Sequence, residues 1–242
     1  MVLYGPLVAA GGPAASGLSP QAAAAFARPQ AVSDLKSMLG AWRERLPNAW
    51  DDLDLWSDVL AWRQHVFTAL NAAFQPHADA PGAGAAAAAS AQSPGAAQHP
   101  LAFRGYHEMA WLINRFAHVA RKNGLTDVCL SFLNRIYTLP NIEIQDAFVK
   151  LREQAKCHML APAELPTALE VVNMANLSYF MAAQKADFFA LRAVILAKLG
   201  AAEEANRVFA QAMQIDLTLG RGWAGWGRFN DQRFGHTGDL NT

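Results

Sequence analysis

Histidine is the side chain most ready for acid–base or metal chemistry near neutral pH, and this sequence scatters seven of them, at His65, His77, His99, His107, His118, His158 and His236. No pair has an acidic or cysteine partner at the spacing of a metal site, and His118 and His158 read as partly buried helix residues. Cys129 falls at a small-residue position and Cys157 in mid-helix, so packing explains both without a nucleophilic role. Two cysteines build neither a disulfide framework nor a zinc site, and the expected setting is a reducing intracellular compartment. Asp51, Asp52 and Asp54 form the densest acidic run. Carboxylates so close could share a proton or a cation; placed at a helix start, they are explained by its positive dipole end. Arg115, Arg121, Lys122, Arg152 and Lys156 could form a basic pocket for a polyanion between adjacent hairpins, against the plainer reading of a solvated helix face. Gly220-Arg-Gly222-Trp-Ala-Gly225 matches the dinucleotide-binding pattern literally, but a helix rather than a strand precedes it. The sequence has no Walker lysine loop and no Gly-x-Ser-x-Gly elbow. Nothing in it demands catalysis, and the expectation is no catalytic residue, no metal ligand and no cofactor.

The bulk properties agree. Among 242 residues, 20 Lys and Arg balance 20 Asp and Glu, which removes the electrostatic footprint of a nucleic-acid or anionic-membrane binder. Alanine supplies 49 residues, so the 52% hydrophobic fraction reflects helix-forming small side chains. The longest strongly apolar stretch, Phe188 to Leu199, contains Arg192 and Lys198 and falls short of the ~18–20 residues that span a bilayer. A soluble protein is expected, without direct contact to nucleic acid or membrane.

The elements that would position these residues are helices. Residues 1–32 are rich in Ala, Gly and Pro and read as disordered; Arg28 is their only basic residue, too few for a transit peptide. Residues 33–75 read as a helical pair. Ser33 is the expected N-cap of the first helix, and Pro47 with Asn48 ends it. In the second, Leu53, Trp56, Leu60, Phe67, Leu70 and Phe74 recur at spacings of three, four and seven, which places a Trp-rich face inward, with Trp62 expected among the buried residues. Residues 76–100 form a second disordered, Ala-rich insertion. From 101 to 230 the chain reads as consecutive helical hairpins, and residues 231–242 as a truncated tail.

These hairpins repeat. Phe189, Leu199-Gly200, Ala205 and Phe209 fit a tetratricopeptide-like unit, and Trp223-Ala-Gly-Trp226-Gly227 opens the next, 34 residues after Phe189. Gly124 stands 76 residues before Gly200, with Cys129 and Leu133 at the places of Ala205 and Phe209. The fold class is therefore all-α, an α-solenoid of tetratricopeptide-like helical hairpins. A solenoid ends in a polar cap; without one, the sequence reads as a fragment of a longer protein.

Particular residues narrow this further. Arg45-Leu46-Pro47, then Asp51-Asp52-Leu53, then Trp56, Trp62, Arg63, Gln64 and His65 resemble the FAT region of the TRRAP family, pseudokinases of the phosphatidylinositol-3-kinase-related superfamily. Ala120-Arg121-Lys122 with Gly124-Leu125, Arg135-Ile136 with Thr138 and Pro140, Arg152 with Gln154 and Lys156-Cys157, and Asn176-Leu177 with Tyr179-Phe180 follow in the family's order. Glu203-Glu204-Ala205-Asn206 and Trp223-Ala-Gly-Trp226-Gly227 complete the set, over about residues 35–230 without the insertion. The resemblance implies a nuclear, non-enzymatic coactivator scaffold. Its partners would be protein subunits of SAGA-type and nucleosomal histone acetyltransferase complexes, and transcription activators. It also implies that the basic group above is a candidate for a polyanion, since some related FAT regions hold inositol hexakisphosphate. Two alternatives stay open on the residues: the FAT region of an active kinase of the superfamily, and a free-standing tetratricopeptide adaptor.

Overall fold

The computed structural model describes residues 29–74 and 103–237. The segments expected to be disordered, 1–32 and 76–100, lie outside them apart from residues 29–32. Nine α-helices and three short 3-10 turns, and no strand, occur among the described residues. They divide into two compact units, the described residues up to 112 with 139–141, and residues 113–138 with the described residues from 142 on.

The first unit holds α1 (Pro29–Glu44), α2 (Leu53–Phe74) and the start of α3 (Arg104–Lys122). α1 begins at Pro29, four residues before the expected cap at Ser33, because proline suits a helix's first turn, where its missing N–H leaves no bond unmade. Trp56, Leu60, Phe67 and Leu70 are buried along one face of α2; the side chain of Phe74 lies outside the described residues. The gap of seven between Leu60 and Phe67 is filled by a charged residue, Arg63, itself buried. Its guanidinium donates to the Trp42 carbonyl at 2.7 Å and the Arg45 carbonyl at 2.8 Å. The last carbonyls of α1, which no helical N–H can reach, are thus capped from α2. Trp56 Nε1 donates to the Asn48 carbonyl at 2.8 Å and pins the turn. Trp62 is not buried: it is 47% exposed, with its ring packed on Trp42 at 5.0 Å. The expectation fails because Trp62 precedes Arg63 by about 100° of helix rotation, outside the buried stripe.

The second unit holds the rest of α3, then α4 (Thr126–Arg135), α5 (Ile144–His158), α6 (Leu165–Asn173), α7 (Ala182–Lys198), α8 (Ala202–Ile215) and α9 (Gly220–Thr237). The last helix runs to Thr237, so residues 231–237 of the expected tail are helical. The repeat is real at the level of hydrogen bonds. Gly124 (φ +77°) and Gly200 (φ +84°) both end helices in the left-handed region. After Gly124, Leu125 N bonds Ala120 O at 2.9 Å; after Gly200, Ala201 N bonds Leu196 O at 3.0 Å. Both are the six-to-one bond of a Schellman end. One turn later Cys129 and Ala205 are equally buried, as are Leu133 and Phe209 after them. The cores follow the hairpins: Phe148, Phe180 and Phe188 pack within 5.4–5.7 Å of one another where α5, α6 and α7 meet. Ala193, Ala205, Phe209 and Phe229 join α7, α8 and α9.

Candidate functional site

Amphipathic packing would give α5 one apolar stripe, yet it buries a polar one as well. Asp146, Lys150, Glu153 and Cys157 recur at spacings of four, three and four, and all are buried. The stripe opposite on α3 is Asn114, His118 and Arg121, again at four and three. Asn114 Nδ2 donates to the Asp146 carbonyl at 3.0 Å. Arg121 Nε donates to Glu153 Oε2 at 2.8 Å, and His118 Nδ1 lies 3.1 Å from the same oxygen. Helices that meet through such pairs are specified by polar complementarity as well as by volume.

The charges continue across three further contacts. Arg152 lies 3.6 Å from Glu153 and 2.7 Å from Asp187 of α7, and Arg221 of α9 lies 2.6 Å from the other oxygen of Asp187. An ion-pair ladder therefore runs from α3 through α5 and α7 to α9. Burial alone would push the Glu153 pKa up, but the His118 hydrogen bond and the charge and hydrogen bond of Arg121 outweigh it and bring it to about 2. Lys156 sits beside the ladder, and burial, then the charge of Arg152, lowers its pKa to about 8. Lys150 has its ammonium 3.6 Å from the centre of the Tyr137 ring and donates to Gln154 Oε1 at 2.7 Å; burial lowers its pKa to about 8 as well.

Of the five basic residues singled out in the sequence, the structure brings Arg121, Arg152 and Lys156 to this ladder, while Arg115 and Lys122 are exposed on α3. Arg121 and Arg152 are not the solvated cations that a polyanion pocket needs, since each already has a carboxylate partner. Arg221 belongs to the same cluster and was not anticipated. Glu153 and Asp187, which organise it, were missed too, because their partners stand 32 to 35 residues away in the chain.

The remaining candidates resolve into structure. His158 Nδ1 lies 2.9 Å from Glu164 Oε2, and His107 Nε2 lies 2.9 Å from the Asn141 carbonyl. Cys129 and Cys157 are buried, burial pushes both thiols up in pKa, and the Cys157 thiol faces the Thr126 carbonyl at 3.5 Å. A protonated thiol is a poor nucleophile. Asp51 accepts from the Asn48 backbone N–H at 2.7 Å and closes the turn before α2, and Asp54 lies in that helix's first turn. The glycine-rich match at 220–225 lies inside α9, after helix α8, where Gly222 leaves room for the Met213 side chain. Among the described residues no group of three or more His, Cys, Asp and Glu could hold a metal ion. No described helix is long and apolar enough to cross a membrane.

In the first unit a second buried carboxylate plays the part of Glu153. Glu108 accepts from Arg43 Nε at 2.8 Å and Nη2 at 3.1 Å, and Arg104 pairs with it at 2.6 Å. Arg43 also lies over the Trp111 ring, 4.8 Å from its centre. In both units, then, the strongest polar constellation ties helices together.

Comparison with known proteins places this arrangement. The family model described as FAT domain matches residues 21–241. The SAGA complex/NuA4 acetyltransferase complex subunit TRA1 of Saccharomyces cerevisiae is 54% identical over 202 residues, 84% of this chain and 5% of that protein. The subunit of the same description from Schizosaccharomyces pombe is 51% identical over 87% of the chain and 6% of its own length. The transformation/transcription domain-associated protein of Mus musculus is 35% identical over 86% of the chain and 8% of its length. The chain thus spans less than a tenth of each of these relatives.

Proposed function

Because the chain belongs to the FAT domain family, as a FAT region of the TRRAP type, we propose that it is a non-catalytic scaffold segment of a nuclear transcription coactivator. It presents helical hairpins to protein subunits of a histone acetyltransferase complex of the SAGA and NuA4 kind, and to transcription activators. The observation that carries the reading is the 54% identity to a subunit named for both complexes, spread over 84% of the chain. The ladder supports it: Glu153 and Asp187 are committed to arginines of neighbouring helices, which ties the hairpins to one another. Repeat surfaces of this kind bind partners over extended faces.

Affinity purification of the endogenous product from nuclear extract, with mass spectrometry of its size and partners, tests the proposal. A very large polypeptide with acetyltransferase-complex subunits is expected. A product near 26.2 kDa without them overturns it and leaves a lone helical-repeat adaptor.

A second reading rests on the charge left over in the ladder: with Arg121 and Arg152 held by Glu153 and Asp187, the cations that remain for a polyanion are Lys156, beside the ladder, and Arg221, 53% exposed although it pairs with Asp187. The excess of cations suits a polyanion at its exposed edge. A native mass spectrum of the purified protein without a polyanion adduct counts against this reading.

A further inference from the structure

Among the described residues, one flank of α2, about 100° round from its buried stripe, carries exposed apolar side chains. Leu55 is 49% exposed and Trp62 47%, and Trp50, in the turn leading into the helix, is 77% exposed. Leu55 and Trp62 are seven residues apart and so lie two turns along one face. Trp62 is also held in place, because its ring rests on Trp42. Rigid, half-exposed aromatic side chains make binding anchors, since little entropy remains to be lost when they are covered. Scattered single apolar residues need no explanation, but a half-exposed tryptophan held against a second ring, two turns from an exposed leucine on the same face, does.

The charge on α2 and in the turn before it is predominantly acidic, although Arg45, exposed just before that turn, is positive. Asp51, Asp52, Asp54 and Asp58 fall within eight residues, and the only Lys or Arg in α2 is Arg63, buried and spent on the carbonyls of α1. The positive end of the helix offsets Asp52 and Asp54 in part, whereas Asp58, in the second turn, lies beyond it. An acidic or neutral apolar partner would cover Leu55 and Trp62 at the cost of desolvating unpaired carboxylates. A merely basic, extended partner would pair with the carboxylates and leave the apolar face wet. Only a partner with both features satisfies both.

We propose that this face of α2 receives a basic amphipathic helix from a partner protein. Its apolar stripe covers Leu55 and Trp62, and its flanking Lys and Arg residues meet Asp54 and Asp58. This deepens the scaffold reading by naming the chemistry of one docked subunit, and it rests on that reading for the existence of such a partner.

The 242-residue chain is titrated with a dye-labelled synthetic amphipathic helix of leucine and lysine, roughly 18 residues or five turns long, and with its leucine–glutamate counterpart. The lysine helix is expected to bind at least ~10-fold more tightly, with an affinity that falls as salt is raised. The double variant Asp54→Asn/Asp58→Asn weakens it ~5-fold or more and flattens the salt dependence, while Leu55→Ser weakens it by a similar factor with the salt dependence kept. Glu203→Gln with Asp231→Asn, acidic positions of the second unit, leaves binding unchanged, and circular dichroism checks that each variant is folded. Equal affinity for the two helices overturns the proposal, as does binding that survives both sets of α2 variants. Sedimentation showing a dimer that Leu55→Ser dissociates would give the face to a second copy of this chain and overturn it too. Failure here leaves the purification result untouched, so the two readings fall separately.

Discussion

At the scale of single residues, Glu153 sets the acid stability. Its carboxyl titrates near 2 in the folded protein against about 4.3 in an unfolded chain. A group depressed in this way contributes stability that is complete above the unfolded value and lost as pH falls through that window. Urea unfolding between pH 7 and 2 should therefore show an acid limb that Glu153→Gln diminishes. At pH 7 that variant should cost about 3 kcal/mol, because Arg121 loses its partner and Arg152 one of two. Lys150 works at the opposite end. Its folded pKa near 8 lies below the ~10.4 of the unfolded chain, so between those values the unfolded state binds more protons and stability rises with pH. Lys150→Met should remove part of this rise in unfolding curves at pH 8 to 10, and Lys156, shifted the same way, should retain the rest. Two tryptophans separate burial from sequence motif. Trp56→Ala should cost ~3–5 kcal/mol and Trp62→Ala about 1 kcal/mol, as the first is 1% and the second 47% exposed. Equal losses in denaturant would place Trp62 in the core after all.

At the scale of elements, the glycines carry the design. Gly124 and Gly200 both have positive φ with open space where a Cβ would stand, so alanine there should cost ~1–2 kcal/mol through backbone strain alone, and equally at both. Gly105 is different. A Cβ there would lie 2.6 Å from the Phe67 carbonyl oxygen and against Asn71, so Gly105→Ala must push α2 and α3 apart. Thermal unfolding should show a loss of ~1–3 kcal/mol. These positions also mark how far the sequence could be read. The 76-residue interval between two helix-ending glycines, with small and large core residues after each, exposed the hairpin repeat because caps and stripes are local signals. The gap of seven in the α2 stripe was equally visible, but its occupant was hidden. A buried arginine is written in the periodicity, whereas the two carbonyls that hold it lie 18 and 21 residues upstream. Asp146 and Glu153 of the α5 stripe escaped for the same reason. A polar residue at a core position looks like a surface residue until its partner, more than 30 residues distant, is brought against it. Of the five cations proposed as one pocket, three cluster, because helical rotation puts Arg121 beside α5 and leaves Arg115 and Lys122 in solvent.

At the scale of the whole chain, zero net charge and paired interior charges leave little field for steering, so recognition falls to local faces. Stability in a repeat stack is a sum over neighbouring contacts, and it varies along the stack with the number of faces each helix has covered. In the second unit α7 touches α6, α8 and α9 and buries residues around its full circumference, from Ala186 and Asp187 to Ile195 and Leu196. α9 packs on one side, with Trp223 and Phe234 about half exposed on it. Hydrogen exchange should therefore be slowest in α7 and markedly faster in α9. Glu153→Gln adds a directional test, because the ladder joins α3, α5, α7 and α9 but has no rung on α8. Exchange should accelerate first in α3 and α5, while the α7–α8 contact, packed through Ala193, Ala205 and Phe209, keeps α8 protected. Uniform acceleration over all helices of the unit would mean that it opens as one cooperative block. The ladder would then be a fastening of the whole stack, and its individual rungs could not be loosened separately when a partner docks.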